Sequence, residues 1–514
     1  MSETNTQSRS KNLGALVDLA ASGNHTLLID CREAGQPVHW DGHSFEAQCD
    51  AIARALTARG LEPGARVAIL SANRAEYLQV YYGTMRAGLI SVPVNTRLPA
   101  QTIHYVLEDS GAEFAFVDNE RAALVPKGLP MLNFDDAKEF SAFLDPGPFT
   151  PIEPALDDVA MFLYTSGSTG KPKGVPLTHH GHLWVVRKRI QAGVDYTRER
   201  LLVAAPLYHM NALATAKFAQ YVGATMVLLP QFTAASYINA IATHRCTWLT
   251  SVPTMLALVC QERQLLAATD LGSVTSVRMG SAPVTLHLLN ELRELFKGTK
   301  IQLGYGTTEA GPIAFAPHPH GLPTPDLSLG VAHPDISLRL TDASGNLADE
   351  GVLEMRCPAL TPGYHTLPDK TASVMTADDY YRTGDVMRRD ANGFYYFVGR
   401  DDDMFVCNGE NVFPEGVERL LEKHPAVTQA CVVPVSDAVR GAMPVAFVVP
   451  ANADEPDVDE LKQFTIANGP AYQHPRRIWF QPTLPLAGTN KIDRKQLADE
   501  ARHRVKSEGL KTHE

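Results

Sequence analysis

Hydrophobic and polar positions switch repeatedly between two periods along the first part of the chain. Phe45 to Leu61 places apolar residues at helical spacing, Arg66 to Leu70 is a short apolar run of strand length, and Tyr77 to Ala87 returns to helical spacing. Leu89 to Val94 and Glu113 to Val117 predict two more short strands. A second alternating stretch runs from Val159 to about Ile313, with strands expected at Ala160–Tyr164, Leu201–Ala205, Thr225–Leu229, Trp248–Ser251 and Ser276–Met279. Alternation of this kind predicts parallel α/β layers. Residues 120–157, richer in Pro, Asp and Gly, read as a connecting excursion.

The pattern changes twice more. Residues 328–398 carry short strand-like runs between Gly, Asp and Pro turns, which predicts a small β subdomain. After Arg400, helical segments at Gly416–Lys423 and Val458–Asn468 alternate with strands at Thr428–Val435 and Val445–Val449. The expected fold is therefore α/β: a large N-terminal domain (1–398) of two α/β layers plus a small β subdomain, a hinge (399–403), and a small mobile α+β C-terminal domain (404–514). At 514 residues, more than one domain is expected in any case.

Composition narrows the functional classes. A formal net charge of -11 argues against a nucleic-acid-binding face. No run of eighteen or more apolar residues occurs and the polar start, Met1 to Asn12, has no signal-peptide core, so a cytoplasmic protein without membrane attachment is expected. The seven cysteines form no CxxC pair and predict neither a zinc site nor a disulfide framework.

Candidate chemistry begins at Thr165-Ser166-Gly167-Ser168-Thr169-Gly170-Lys171-Pro172-Lys173-Gly174, directly after an apolar strand. Glycines let backbone N–H groups converge on phosphate oxygens, the hydroxyls add donors, and Lys171 and Lys173 add positive charge. Pro172 stands where a Walker loop needs a hydroxyl residue, so this is a phosphate loop of another kind.

Further along lie Pro206-Leu-Tyr-His-Met210, Gly304-Tyr-Gly-Thr-Thr-Glu309, Tyr381-Arg-Thr-Gly-Asp385, Gly399-Arg-Asp-Asp-Asp-Met404 and Gly488-Thr-Asn-Lys-Ile-Asp-Arg494. In that order beside the phosphate loop, they make the chain resemble the adenylate-forming superfamily of acyl-CoA synthetases, nonribosomal-peptide adenylation domains and luciferases. Asn490 before Lys491, with the Gly-Arg-x-Asp-Asp-Met and Tyr-Gly-Thr-Thr-Glu-Ala patterns, is similar to the 4-chlorobenzoate–CoA ligase branch.

The resemblance implies roles. ATP would lie along the phosphate loop, Ser281-Ala282-Pro283 and Gly304-Tyr305-Gly306-Thr307-Thr308, with Glu309 on Mg²⁺, Asp385 on the ribose and Arg400 on ribose or phosphate. Lys491 would bridge the acid's carboxylate and the α-phosphate, and Thr308 and Glu309 join it in catalysis. His209 would gate the path from acid pocket to thioester tunnel, and Asp402 would be the hinge about which the C-terminal domain turns between half-reactions. Leu303 stands where an Asn often lies near adenine, Asn408 replaces a frequent Gly, and Gln473 stands where a basic residue is frequent. Arg440, His474, Arg476 and Arg477 remain available to CoA phosphates.

The expected function is thus ATP-dependent joining of a carboxylic acid to CoA, releasing AMP and pyrophosphate, by a monomer or homodimer. Transfer to an amine or amino acid is the nearest alternative; loading of a carrier protein and adenylate sensing without catalysis come after it. The pocket segments His209–Ala212, Val252, Gly280–Pro283 and Gly304–Gly306 contain no Lys, Arg or acid, which predicts an aryl, cyclic or medium-chain monocarboxylic acid.

Overall fold

The computed structural model describes residues 10–33, 35–165, 171–191, 193–437, 441–451, 455–487 and 491–511. Two mainly parallel sheets form the larger part. One runs in the order Met131–Asn133, Ala112–Val117, Arg66–Leu70, Ile90–Pro93, Val159–Thr165, Lys173–Thr178, and only the last strand is antiparallel to its neighbour. The other runs Lys300–Gly304, Ser276–Gly280, Trp248–Ser251, Arg200–Val203, Thr225–Leu228, Thr26–Asp30, Val38–Asp41, again with one antiparallel edge.

A single apolar core draws on both sheets. Val67, Ile69, Met161 and Leu163 from one join Leu201, Val203, Met226 and Leu228 from the other, through residues of the helices Gly42–Ala58, Ala75–Arg86 and Met210–Val222. Helices buried between sheets lose their polar face. Every residue of Ala75–Arg86 except Glu76 is buried, as is the run Ala212–Tyr221 of the helix Met210–Val222.

The small β subdomain is an antiparallel sheet, ordered Phe315–Ala316, Gly330–Ala332, Phe394–Arg400, Tyr381–Arg389, Glu350–Arg356, Ser337–Thr341. Its strand Phe394–Arg400 leads into the turn Asp401–Asp403. A separate sheet follows, in which Gly441–Pro450 pairs with Val427–Asp437 and, in parallel, with Arg477–Phe480. The terminal helix Arg494–Lys511 packs on it through Leu497 and Ala501.

The connecting excursion carries more structure than its composition predicts. Met131–Asn133 extends the first sheet at its edge and the helix Ala137–Phe143 packs Phe140 and Phe143 onto Phe116 and Phe134. Three aromatic anchors outweigh the local turn residues. Among the described residues no helix is long and apolar enough to cross a membrane, and all seven cysteines are free thiols.

Lys217 is a polar exception in this core. It is 0 % exposed, its Nζ lies 3.1 Å from His182 Nδ1 and 3.9 Å from Met161 Sδ, and burial, with Arg189 adding to it, pushes its pKa down to about 7. The unfolded chain holds that proton up to the ordinary lysine value of 10.5. Below pH 7 both states are charged and the cost is full; between pH 7 and 10.5 the unfolded state binds more protons, so stability rises with pH. Lys217→Met, nearly isosteric, is expected to raise stability by about 2 kcal/mol at neutral pH after the loss of the His182 contact. Melting curves across pH check this: the gain shrinks as pH approaches the lysine's ordinary value.

Candidate active site

The two parallel sheets, the β subdomain and the C-terminal part enclose a common cavity of about 1380 Å³. The two strands that flank the candidate phosphate loop reach this cavity: Val159–Thr165 and Lys173–Thr178 pair antiparallel, with Thr165 opposite Lys173. This pairing, unlike the strand-to-helix turn of a Walker loop, brings back a second strand, so Thr165 and Lys173 face the cavity together. Ser166, Gly167, Ser168, Thr169 and Gly170 lie outside the described residues. Lys171 is not among the cavity's lining residues; its ammonium sits over the Tyr105 ring at 5.1 Å.

Around Lys173 the cavity is polar. Its Nζ lies over the Tyr364 ring at 4.3 Å, and its pKa is lowered by burial, with Glu309 opposing and Lys370 and Arg400 adding to the effect. Glu309 is 7 % exposed. One of its carboxylate oxygens accepts from the Tyr364 hydroxyl at 2.9 Å. Thr165 Oγ1 is buried without a partner, an orphan hydroxyl at the mouth of the loop.

The segment Gly304–Glu309 follows the strand Lys300–Gly304 and runs beside Gly280–Pro283, because Gly280 and Gly304 are register partners. A Cβ on Gly280 would come within 2.8 Å of the Gly304 carbonyl, and one on Gly306 within 2.4 Å of the Gly311 carbonyl, so both approaches require glycine. Ser281 holds φ +69, a conformation that costs a non-glycine residue and that clusters at functional sites. Ser281, Ala282, Pro283, Leu303, Tyr305, Gly306, Thr307 and Thr308 all line the cavity. The Thr307 hydroxyl is engaged locally, accepting from the Ala310 N–H at 3.0 Å.

Asp385, 6 % exposed, is held from two sides. It accepts from the Tyr305 hydroxyl and from Arg400 Nη1 at 2.9 Å. Two of its four lone-pair sites are thereby used, and two remain for a diol. Arg400 is gripped in turn by Asp402, Nε to Oδ1 at 3.0 Å, while the Asp401 N–H donates to the Gly384 carbonyl at 2.8 Å. The turn at Asp402 is thus tied through Arg400 to the Asp385 carboxylate.

Lys491 is fixed by its backbone: Leu486 and Ile492 form an antiparallel bridge, and the Ala487 N–H donates to the Lys491 carbonyl at 2.7 Å. Asn490 lies outside the described residues. Lys491 is exposed, and it lines the cavity. Its pKa is lowered, chiefly because the cavity walls crowd water away from the ammonium although the residue as a whole stays exposed, with Asp385 opposing and Arg400 contributing. His209, the residue before the helix Met210–Val222, has its pKa pushed down to about 3 by burial first, then by Lys491 and Arg97. Its imidazole is neutral, and its Nε2 is buried without a partner.

The fold therefore gathers Thr165, Lys173, His209, Ser281–Pro283, Gly304–Glu309, Asp385, Arg400, Asp402 and Lys491 around one space. Residues 474, 476 and 477 do not line it; His474 and Arg476 contact each other through Nε2 and Nη1. Arg440 lies outside the described residues. Sequence reasoning missed Tyr364, Lys370, Arg189 and Arg278, which line the same cavity. Tyr364 sits in a Pro-Gly turn with no periodic signal, and Arg278 is the one charged position in the strand Ser276–Gly280. The segments named from the sequence carry no basic residue, and tertiary folding adds Arg189 and Arg278 to the cavity from outside them.

Known proteins resemble this arrangement across nearly its full length. The model of the AMP-binding enzyme family matches residues 18–365, and that of the AMP-binding enzyme C-terminal domain matches residues 416–491. A feruloyl-CoA synthase from Amycolatopsis sp is 34% identical over 447 residues, 86% of this chain and 90% of the relative. A sulfoacetate–CoA ligase from Cupriavidus necator is 30% identical over 475 residues, 88% and 90% of the two chains. Among solved structures, ATP-bound MatB from Rhodopseudomonas palustris superposes with a TM-score of 0.86 at 26% identity, covering 96% of this chain and 99% of that one. The chain belongs to the AMP-binding family of adenylate-forming enzymes, to which acid:CoA ligases belong.

Proposed function

We propose that the chain activates a carboxylic acid with ATP as an acyl-adenylate and then transfers the acyl group to CoA, releasing pyrophosphate and AMP. The observation that carries this reading is the convergence of Lys491 with Asp385, Arg400 and His209 in one cavity, where each charge acts on the next. A cation at that place stabilises the charge that develops as a carboxylate oxygen attacks the α-phosphorus.

The other residues divide the substrates between them. Asp385 offers its two remaining acceptor sites to the ribose hydroxyls, and the ring of Tyr305, packed against Phe315 at 5.7 Å, borders the base. Thr165 and Lys173 meet the outer phosphates. The free oxygen of Glu309 fits Mg²⁺, because this ion is held by one or two carboxylates together with substrate phosphates rather than by a protein cage, and no cluster of three acidic or soft ligands occurs among the described residues. Bound there, Mg²⁺ would neutralise phosphate charge. The neutral His209 borders the path of the thiol to the acyl carbon. CoA is favoured over an amine as acceptor because the feruloyl-CoA synthase and the sulfoacetate–CoA ligase that the chain resembles are named for CoA. Free thiols throughout support a reducing, cytoplasmic setting.

Lys491 has to leave before a thiol can approach, and the turn 399–403, between an N-terminal domain at 1–398 and a C-terminal domain at 404–514, is where the chain would rotate. Proline at 402 fixes φ and blocks that rotation. In an assay with a panel of acids, the wild type is expected to release pyrophosphate and form thioester. Asp402→Pro should retain adenylation and lose thioester formation ~10²-fold or more. Asp402→Ala, which removes only the grip on Arg400, should keep both. Equal loss of both steps in the proline variant would overturn the hinge.

A further inference from the structure

Two guanidinium groups line the cavity without a carboxylate beside them. Arg189 follows the helix His179–Lys188, and Arg278 lies in the strand Ser276–Gly280. Among the described residues neither forms an ion pair. Arg189 Nη1 donates to the Ala214 carbonyl at 2.9 Å and its guanidinium lies 4.6 Å from the centre of the Phe218 ring, but its Nε is buried with no partner. Arg278 Nη2 donates to the Pro312 carbonyl at 3.2 Å. Each guanidinium carries five N–H donors, so most are unspent.

The two also oppose each other. Burial first, and the Arg278 charge second, hold Arg189 far below the ordinary guanidinium value, and burial lowers Arg278 as well. Neighbouring groups on the cavity wall leave acceptors idle: Asn211 Oδ1 and Thr250 Oγ1 are buried without partners. Two half-buried like charges without a counter-ion are a standing cost to the fold. Structural reasons alone would favour apolar residues at both positions. A cost of this kind borders a substrate cavity because a ligand offsets it.

Resting on the acid-activation reading above, we propose that Arg189 and Arg278 form a subsite for an oxygen group at the end of the acid remote from the activated carboxylate. The preferred acids carry there a second carboxylate or a ring hydroxyl. Lys491 and the α-phosphate take one end of the acid, and the guanidinium pair takes the other. Arg278 sits where a Cβ on Gly304 would approach its Nε to 2.8 Å, so the subsite adjoins the strand end that leads to Tyr305. Its planar fork suits an oxygen pair better than a lysine would.

The test compares matched acids: benzoates with methyl, hydroxyl or carboxyl groups at the meta and para positions, and short aliphatic acids with methyl or carboxyl ends. Pyrophosphate release gives kcat/KM for each with the wild type, Arg189→Met, Arg189→Lys and Arg278→Met. The wild type should prefer an oxygen-bearing acid over its methyl counterpart by ~10-fold or more, and the methionine variants should collapse that ratio toward one. The carboxyl and hydroxyl series tell the two oxygen sources apart. Arg189→Met should also melt higher than wild type without ligand, since it removes an uncompensated charge; if it does not fold, Arg189→Lys and Arg278→Met carry the comparison. A wild-type preference for the methyl acids, or variants that depress all acids equally, would overturn the subsite. If no acid releases pyrophosphate, the activation reading fails instead, and calorimetric titration with the dicarboxylates judges the subsite: arginine-dependent binding supports it and absence of binding overturns it.

Discussion

Replacing Lys491 by alanine is expected to slow acid-dependent pyrophosphate release by ~10²–10³-fold, the loss that follows removal of one charge-stabilising donor from an organised site. The reason is local. Lys491 lines the cavity beside Asp385 and Arg400, and no other ammonium in the described structure is placed to bear on His209 from that side: Arg97 is the second cation felt by the imidazole, and it is a guanidinium. Binding of ATP should change little, because in the proposed site the ribose and outer phosphates are assigned to other residues. Thioester formation from pre-formed acyl-adenylate should persist within ~10-fold, since in the proposed rotation Lys491 leaves the site before that step. Single-turnover kinetics on each half-reaction check this. Equal loss of both steps would contradict the assignment.

Asp385→Ala is expected to have the second largest effect, raising KM for ATP by ~10²-fold through loss of two hydrogen bonds to a charged acceptor. The consequences reach further than the nucleotide. Asp385 is the acceptor that holds the Tyr305 hydroxyl and Arg400 together, so its removal leaves Arg400 to Asp402 and the Thr383 carbonyl. Both half-reactions should weaken, because the AMP moiety stays bound through each. Asp385→Asn, which keeps an acceptor oxygen, should recover part of the affinity. Titration with ATP and with AMP separates the two variants: similar weakening of both nucleotides is the expected result, and an effect confined to ATP would place Asp385 on the outer phosphates instead.

Much of the fold was legible in the alternating periods. Arg66–Leu70 and Trp248–Ser251 occur with the boundaries that spacing predicts, because a continuous apolar run between helices has few other uses than a parallel strand, and the helix Val458–Asn468 does so through its helical spacing. The edge strands were not. Met131–Asn133 has three residues and only one buried side chain, too short to show a period, and Lys173–Thr178 hid inside the polar loop that precedes it. The terminal helix Arg494–Lys511 was missed because its apolar contacts, Leu497 and Ala501, are sparse among charges.

For the site the division falls elsewhere. Residues in dense polar motifs, such as Tyr305–Glu309 and Asp385, are recognisable because that chemistry has no structural reason to recur together. Arg189 and Arg278 are isolated in helix-end and strand contexts, and Tyr364 is one aromatic in a turn. What makes them matter is the missing counter-charge or the bond to Glu309, and neither exists until the chain is folded. Lys171 and Lys173 show the converse: two lysines equivalent in the loop sequence diverge in space, one over Tyr105 and the other beside Glu309.

The central claim is that a carboxylate oxygen of the acid attacks the α-phosphorus of ATP. Its most direct test is the fate of that oxygen. An acid found active in the pyrophosphate assay, labelled with ¹⁸O in its carboxyl group, is turned over with ATP, Mg²⁺ and CoA, and the nucleotide product is weighed by mass spectrometry. The account predicts AMP carrying one ¹⁸O per thioester formed. Unlabelled AMP, or ADP with labelled phosphate, would contradict it.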